Sequence, residues 1–328
     1  EISACLVGSE MCIRDRLWLS KYDRNSYLNT SKLDVTYEEF IDNDMIHFSK
    51  YDNERSIPNF CDGQKISLRK ILFSAFKKKL HSEIKVAQFS GYVSEHSGYH
   101  HGEASLNGAI VGLAQNFVGS NNINLFIPQG QFGTRLLGGK DAASERYIFT
   151  YLNPITRKIF PELDDAVLDY VEDDGYVIEP IYYVPIIPMI LVNGTKGIGT
   201  GFSTDIMCHN PVQIIEFLEA KLNKSSSVEK LLIEPYYQGF KGKIYPCDAT
   251  RKKYIIKGCY EFLGNDKIKI TELPIGTWTQ DYKEYLESLL DSKTHTKGKN
   301  EDFIKDYNDM STDSVSYTHL TLPTTPYV

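Results

Sequence analysis

Of the residues in this chain able to do covalent chemistry, Tyr147 has the most informative neighbours. It directly follows Arg146, a few residues after a glycine-rich run that carries Arg135 and Lys140 (QFGTRLLGGKDAASERYIFTY, residues 131–151). A tyrosine oxygen can attack a phosphodiester once its proton is removed and the phosphate charge is offset. Arginine suits the second task, because its planar guanidinium donates two hydrogen bonds to phosphate oxygens. With 22 tyrosines in 328 residues, a Tyr–Arg pair is by itself most often packing, so its meaning depends on context.

Other candidate chemistries fail on spacing. Gly133-x4-Gly138-Gly139-Lys140 resembles a phosphate loop, but Gly139 stands where the lysine belongs and no hydroxyl follows it. In Gly197-Ile198-Gly199-Thr200-Gly201-Phe202 the third glycine of the dinucleotide pattern falls on Phe202. Both stretches read as tight turns that let backbone approach a partner. His96 and His100 have helical i, i+4 spacing with Glu103 nearby, but no thiolate or third histidine completes a metal set, so no metal site is expected. Six scattered cysteines without a C-x-x-C pair point to reduced thiols in an intracellular compartment.

The bulk numbers are those of a soluble globular protein of about two domains, 41% hydrophobic and 24% charged. The longest apolar run, Val184 to Val192, is too short for a bilayer, so no membrane partner is expected. The net charge of −7 is unevenly spread. Lys65, Arg69, Lys70, Lys77, Lys78, Lys79 and Lys85 face only Glu83, a local +6, and residues 133–158 carry +3. Residues 162–179 hold eight acids and no Lys or Arg. Such segregation suits a protein that grips a polyanion on one face, although Lys77–Lys79 also reads as a solvated helix face.

Helical periodicity covers 35–50 (Phe40, Ile41, Met45 and Phe48 near one face), 67–81 and 103–118. Short strands are expected at 123–127 and 147–151, and three helices with a hairpin suggest a winged helix, a DNA-docking arrangement. Strands at 176–178, 186–192, 243–245, 254–260 and 267–272, with helices at 212–222 and 281–290, suggest a second α/β unit. Residues 293–313 are polar and patternless and are expected to be disordered. Residues 1–16 and 314–328 show no sustained periodicity and resemble translated sequencing-adapter reads, so they are set aside from the fold.

Five runs stand together in order: 52–62 (DNERSIPNFCD), 99–103 (YHHGE), 112–122 (GLAQNFVGSNN), 132–147, and 189–203 (MILVNGTKGIGTGFS). As a series they closely resemble the breakage–reunion core of eukaryotic-type and large-virus type IIA DNA topoisomerases, over about residues 17–292. The resemblance implies an α+β chain with a linker helix region at 17–49, a winged-helix domain at 50–175 and a truncated tower domain at 176–292. It implies that Tyr147 attacks a backbone phosphate and becomes joined to the 5′ end of the cut strand, with Arg146 neutralising that phosphate. Arg69, His100, His101 and Lys140 would contact DNA, and Ile198 would wedge between base pairs of a bent duplex. Partners would be double-stranded DNA and a second copy in a homodimer. Mg²⁺ and ATP would act at sites outside this chain, which alone is expected to bind DNA weakly without cutting it. The localisation implied is intracellular, nuclear in a eukaryote. The sequence departs from the family at Ile66-Ser67-Leu68, where Pro-Gly-Gln is usual, and at Glu145. A rival reading is a non-catalytic winged-helix DNA-binding module.

Overall fold

The computed structural model describes residues 10–29, 31–224, 231–251, 253–264, 266–291 and 304–322. Helix α1 (Glu10–Leu19) is followed by α2 (Tyr37–Phe40), whose N-terminus is closed by a capping box between Thr36 and Glu39. A π-helical turn (Ile41–Met45) carries this rod into α3 (Ile46–Ser56). The expected apolar face of the rod is largely on the surface: Phe40, Ile41, Met45 and Phe48 are all exposed.

The centre of the molecule is built from α4 (Ile66–Lys78), β1 (Ile84–Lys85), α5 (Val86–Ser97), α6 (Glu103–Ala114), β2 (Phe126–Gln129) and β3 (Phe149–Leu152). Leu72, Ile71, Ala75 and Phe76 of α4 pack on Val86, Phe89 and Val93 of α5 and on Leu106, Ile110 and Leu113 of α6. These spacings of three, four and seven put one stripe of each helix into a common core. The three strands form an antiparallel sheet in the order β1-β3-β2, with Ile84 opposite Thr150 and Phe126 opposite Leu152.

Helix α5 lies where no helix was expected, so the helices of this unit are α4, α5 and α6 and not the 35–50 segment. Helix α4 ends where Lys79 turns left-handed (φ 50°), and α5 ends at Gly98 (φ 58°). Helix α6 ends four residues short of the expected 118. There Asn121 Nδ2 donates to the carbonyls of Gly112 (2.7 Å) and Gln115 (2.9 Å), capping the last turn.

After α7 (Thr156–Ile159) and a 3-10 turn (Glu162–Val167), the hairpin β4 (Tyr170–Asp173) and β5 (Tyr176–Pro180) spans the boundary expected at 175/176. The main core also crosses it, taking in Tyr183, Ile187, Met189, Val192 and Ile214. The expected strand at 186–192 is instead a bend at Ile186–Ile187 leading into α8 (Met189–Val192), since Pro185 and Pro188 have no N–H to give a ladder. Next come the hairpin β6 (Thr195–Gly199) and β7 (Phe202–Ile206), then α9 (Pro211–Leu222), whose Asn210 cap accepts from Val212 N.

The expected strand 254–260 is two strands. β8 (Lys243–Pro246) pairs with β9 (Tyr254–Lys257), while β10 (Cys259–Phe262) pairs with β11 (Lys267–Glu272). Gly258 separates them, because a Cβ there would lie 2.0 Å from the Glu272 carbonyl oxygen. After α10 (Thr279–Asp291), β12 (Asp306–Asp309) and β13 (Thr318–Thr321) complete a four-stranded sheet in the order β10-β11-β13-β12. Two expectations are corrected here. Residues 304–313 are ordered through β12, with Ile304 buried, whereas 293–303 lie outside the described residues. The end segments also contribute elements, α1 and β13, the latter with Leu320 in a small core with Leu286 and Ile304.

Two buried side chains tie these parts together. Asp62, fully buried, accepts from Arg69 Nε (2.7 Å), Gln64 N (2.9 Å) and Tyr183 N (3.0 Å). Asn122 donates to the carbonyls of Val192, His209 and Tyr236 (3.0 Å each) and accepts from Gln238 N (2.8 Å). Removing one partner of a buried ion pair strands the other charge. Asp62→Ala is therefore expected to lower unfolding free energy by roughly 3–5 kcal/mol in urea denaturation, and Asp62→Ala/Arg69→Met by clearly less.

Candidate active site

The loop between β2 and β3 presents Tyr147, and its glycines have specific tasks. Gly133 (φ 95°) and Gly139 (φ 85°) meet back to back: a Cβ on Gly133 would lie 2.5 Å from the Gly139 oxygen. Within the loop, Asp141 accepts from Thr134 N (2.8 Å) and from the Thr134 hydroxyl, while Leu136 N donates to Thr134 Oγ1 (3.1 Å). Thr134 N, one of the loop's backbone donors, is thus taken by the loop's own carboxylate, and Gly139 N donates to the Thr134 carbonyl (2.8 Å).

The loop is held from two sides. From the end of α6, Gln115 Nε2 donates to the carbonyls of Phe132 (2.9 Å) and Gly139 (3.2 Å). From the segment after β11, Trp278 lies so close to Gly138 that a Cβ there would be 2.3 Å from its ring, and Gln280 N donates to the Leu136 carbonyl (3.0 Å). Arg135 is buried, pairs with Glu272 and donates to the Leu273 carbonyl (2.7 Å). It is a strut of the loop and not a surface cation.

Beyond Asp141 the chain remains fixed. Ala143 N donates to the Gln131 carbonyl (2.9 Å), Ala87 N to the Glu145 carbonyl (3.1 Å), and Tyr147 N to the Ser144 carbonyl (2.9 Å). Ile148 then enters the core at 1% exposure, which turns the preceding Tyr147 outward at 73% exposure. Arg146 and Lys140 are exposed as well. Tyr183 is buried and Tyr237 half-buried instead, and burial drives their phenols up, that of Tyr237 to about 12. A phenol on open surface, on a backbone anchored on both sides and next to an exposed guanidinium, is suited to attack an approaching phosphate ester.

His100 and His101 line a cleft of about 510 Å³ together with Tyr51, Arg55, Lys65 and Lys70. His101 Nε2 lies 3.1 Å from the Tyr51 hydroxyl, with the Tyr99 ring edge-on to it. His100 is 3.6 Å from Asp173. Burial lowers the pKa of Lys65.

Arg69, expected at the DNA, is 5% exposed here, with its guanidinium committed to Asp62 and to the Gln64 carbonyl. Lys70 is also buried, held by the Ser97 carbonyl and by Glu179 at 2.8 Å. The local +6 therefore shrinks at the surface to Lys77, Lys78, Lys79, Lys85 and the half-buried Lys65. The acidic stretch is likewise not one solvated face, since Glu179 is buried against Lys70 and Asp165 pairs with Arg157 at 2.7 Å.

Ile198 sits in β6 opposite Ser203, with the turn of the hairpin at Thr200–Gly201. A Cβ on Gly199 would lie 2.1 Å from Asn53 Oδ1, and one on Gly197 would lie 2.3 Å from the Ser56 oxygen, both in α3. The two glycines let the hairpin lie flat on that helix. Ile198, between them in an alternating strand, projects to the other side at 63% exposure. Asn53 Nδ2 donates to the Thr200 carbonyl and Arg16 Nε to the Gly201 carbonyl, both at 3.0 Å, holding the turn in place.

Sequence reasoning did not find Tyr51, Gln115, Asp62 or Asn122. Gln115, Asp62 and Asn122 act on backbone groups, a role that polar residue type alone does not announce; all three stand within the runs that carry the family resemblance. Among the described residues no group of three or more His, Cys, Asp or Glu side chains could hold a metal ion. His96 stacks on Tyr92 and is directed to its carbonyl (3.1 Å), away from His100.

The chain is similar to known proteins in sequence and in fold. A family model described as the DNA gyrase/topoisomerase IV A-subunit matches residues 55–324. The chain is 51% identical over 297 residues to DNA topoisomerase 2 of Arabidopsis thaliana, covering 89% of this chain and 20% of that protein. It is 49% identical over 304 residues to the mitochondrial DNA topoisomerase 2 of Dictyostelium discoideum, covering 92% of this chain and 22% of that protein. Its fold matches the crystal structure of the Plasmodium falciparum topoisomerase II DNA-binding, cleavage and re-ligation domain, with a TM-score of 0.84 and 45% identity over 96% of this chain and 42% of that one. The chain thus spans about a fifth of the length of these curated relatives. With most of its length matched by one family model and its fold by a solved structure of the same kind, the chain belongs to the DNA gyrase/topoisomerase IV A-subunit family, as part of a type IIA topoisomerase core.

Proposed function

We propose that this chain supplies the DNA-breaking part of a type II topoisomerase, with Tyr147 as the nucleophile. The observation that carries the reading is the exposed Tyr147 phenol on a loop anchored from both sides. In the proposed step the phenolic oxygen, having lost its proton, attacks a backbone phosphorus. The P–O3′ bond breaks, the 3′ oxygen leaves and takes up a proton, and a 5′-phosphotyrosyl ester forms. Attack of that 3′ hydroxyl on the ester reverses the step and reseals the strand without an external energy source. Arg146 offsets the negative charge that builds on the phosphate. His100, His101 and Lys140 contact nearby backbone, and Ile198 enters a base step of the bent duplex.

In this reading α4–α6 and the β1-β3-β2 sheet form a winged-helix domain, the later elements belong to a tower domain, and a second copy cuts the opposite strand. Passing one duplex through another would draw on ATP, and cleavage on Mg²⁺. Among the described residues no group of three or more His, Cys, Asp or Glu side chains could hold the metal, and in the glycine loop Thr134 N is already taken by Asp141. No step is therefore assigned to them. The nucleus is the proposed location in a eukaryote; one relative's mitochondrial name makes that organelle the alternative. The rival reading, a DNA-binding module without chemistry, is favoured by no single contact.

Three outcomes test these assignments. In the full-length enzyme, Tyr147→Phe is expected to abolish covalent protein–DNA adducts while changing duplex affinity by less than about threefold, because a single hydroxyl on a wide polar interface contributes little. Adducts that persist would remove Tyr147 from the mechanism. Ile198→Ala is expected to reduce DNA bending, read by fluorescence transfer between duplex ends, and to weaken binding by roughly 1–2 kcal/mol as buried methylenes are lost. The isolated chain with Mg²⁺ is expected to shift duplex DNA weakly in a gel without nicking it; efficient nicking would show that the chain itself holds a working metal site.

A further inference from the structure

The chemistry proposed above needs the Tyr147 oxygen at a fixed place, and among the described residues Tyr147 is hydrogen-bonded only through its backbone. Its placement therefore comes from its backbone, held by Ile148 in the core on one side and by the loop behind it on the other. That loop closes on itself where Gly133 meets Gly139, and at this closure Gln115 reaches both strands of the loop. An amide NH₂ carries two hydrogens, and here each has a carbonyl: Phe132 O at 2.9 Å and Gly139 O at 3.2 Å. The fit depends on Gly139, since a Cβ there would lie 2.4 Å from Gln115 Nε2.

The opposite side of the loop is held by other means, Arg135 with Glu272 and Trp278 over Gly138. On the Gln115 side lies a groove of about 440 Å³, lined by Asn107, Gly108, Val111, Ala143 and Glu145 among others. Gly108 has nothing within 4 Å of a built Cβ, and the buried Asn107 side-chain oxygen has no partner among the described residues. The 139–145 segment is also tied at Ala143 to the Gln131 carbonyl and at Glu145 to Ala87 N, so the amide bridge sets where the start of that segment, Gly139, lies, and Tyr147 N is tied to Ser144 near its end.

We propose that Gln115 is a positioning residue for Tyr147: its two donated hydrogen bonds set the span of the 132–139 closure and through it the position of the nucleophile. The proposal rests on the reading of Tyr147 as nucleophile. Gln115 spends both donors on the loop carbonyls, so its effect falls on the rate of strand attack and not on DNA affinity.

The test uses the full-length enzyme with Gln115→Glu, which keeps the shape and removes both donors, and Gln115→Leu, which removes polarity altogether. Three quantities are measured for each variant: affinity for uncut duplex, the single-turnover rate of covalent attachment, and the melting temperature. The expected result is a fall of about tenfold or more in attachment rate with affinity within about twofold of the parent, since a small misplacement of a reacting group costs rate far more than binding. The fall should persist in whichever variant melts closest to the parent. An unchanged attachment rate, or a loss that tracks the fall in melting temperature or in affinity, would overturn the proposal. Tyr147→Phe is run alongside: if it still forms the adduct, the nucleophile assignment fails, and that outcome is distinct from a failure of Gln115 to act on a true nucleophile.

Discussion

The site depends on a loop that satisfies its own polar groups. Between Gln131 and Tyr147 the backbone turns back on itself. A loop this tight would leave amide donors facing inward without water, each costing on the order of 1–3 kcal/mol if unpaired. Asp141 answers that demand through Thr134, and Gln115 does so for the facing carbonyls. The glycines follow from this closure, because Gly133, Gly138 and Gly139 each lie against another chain segment or ring where a Cβ would not fit. Tyr147 can be both exposed and fixed because the contacts that hold the loop fall on its backbone and its neighbours, leaving the phenol clear.

The same arrangement recurs around Ile198. Gly197 and Gly199 let a hairpin rest on α3, so that the residue between them stands clear of the surface. In both places glycine provides contact on one side and a projecting side chain on the other. Elsewhere buried polar side chains anchor the backbone, Asp62 with Arg69 and Tyr183 N, and Asn122 with the carbonyls of Val192, His209 and Tyr236. Residues that look suited to bind phosphate, Arg69 and Arg135 above all, are used within the protein. Of the cations counted at 65–85 and 133–158, those exposed are Lys77–Lys79, Lys85, Lys140, Arg146 and Lys158.

Much of this was legible in the residues, and what was missed has physical causes. The stripes of α4 and α6 announced themselves because Leu, Ile and Phe recur at helical spacing. Helix α5 did not, since Gly91 and Ser90, Ser94 and Ser97 dilute its stripe of Val86, Phe89 and Val93, and tertiary packing rather than propensity makes it a helix. The end of α6 was misplaced because Asn121, beyond the helix, folds back onto its last carbonyls, a contact between side chain and backbone that composition does not display. Charge counting overstated the basic face because sequence does not reveal which cations have buried carboxylates waiting. Arg69 finds Asp62 close by in the chain, but Arg135 finds Glu272 far along it, in β11.

The central claim is that one phenol among 22 tyrosines is placed to join DNA. It is tested most directly by trapping the protein–DNA adduct in the full-length enzyme with denaturant, digesting both components and sequencing the nucleotide-bearing peptide by mass spectrometry. The account predicts that the phosphodiester remnant sits on Tyr147, attached through a 5′ phosphate. A remnant on any other side chain, such as the neighbouring Tyr151, or one attached through a 3′ phosphate, would contradict it.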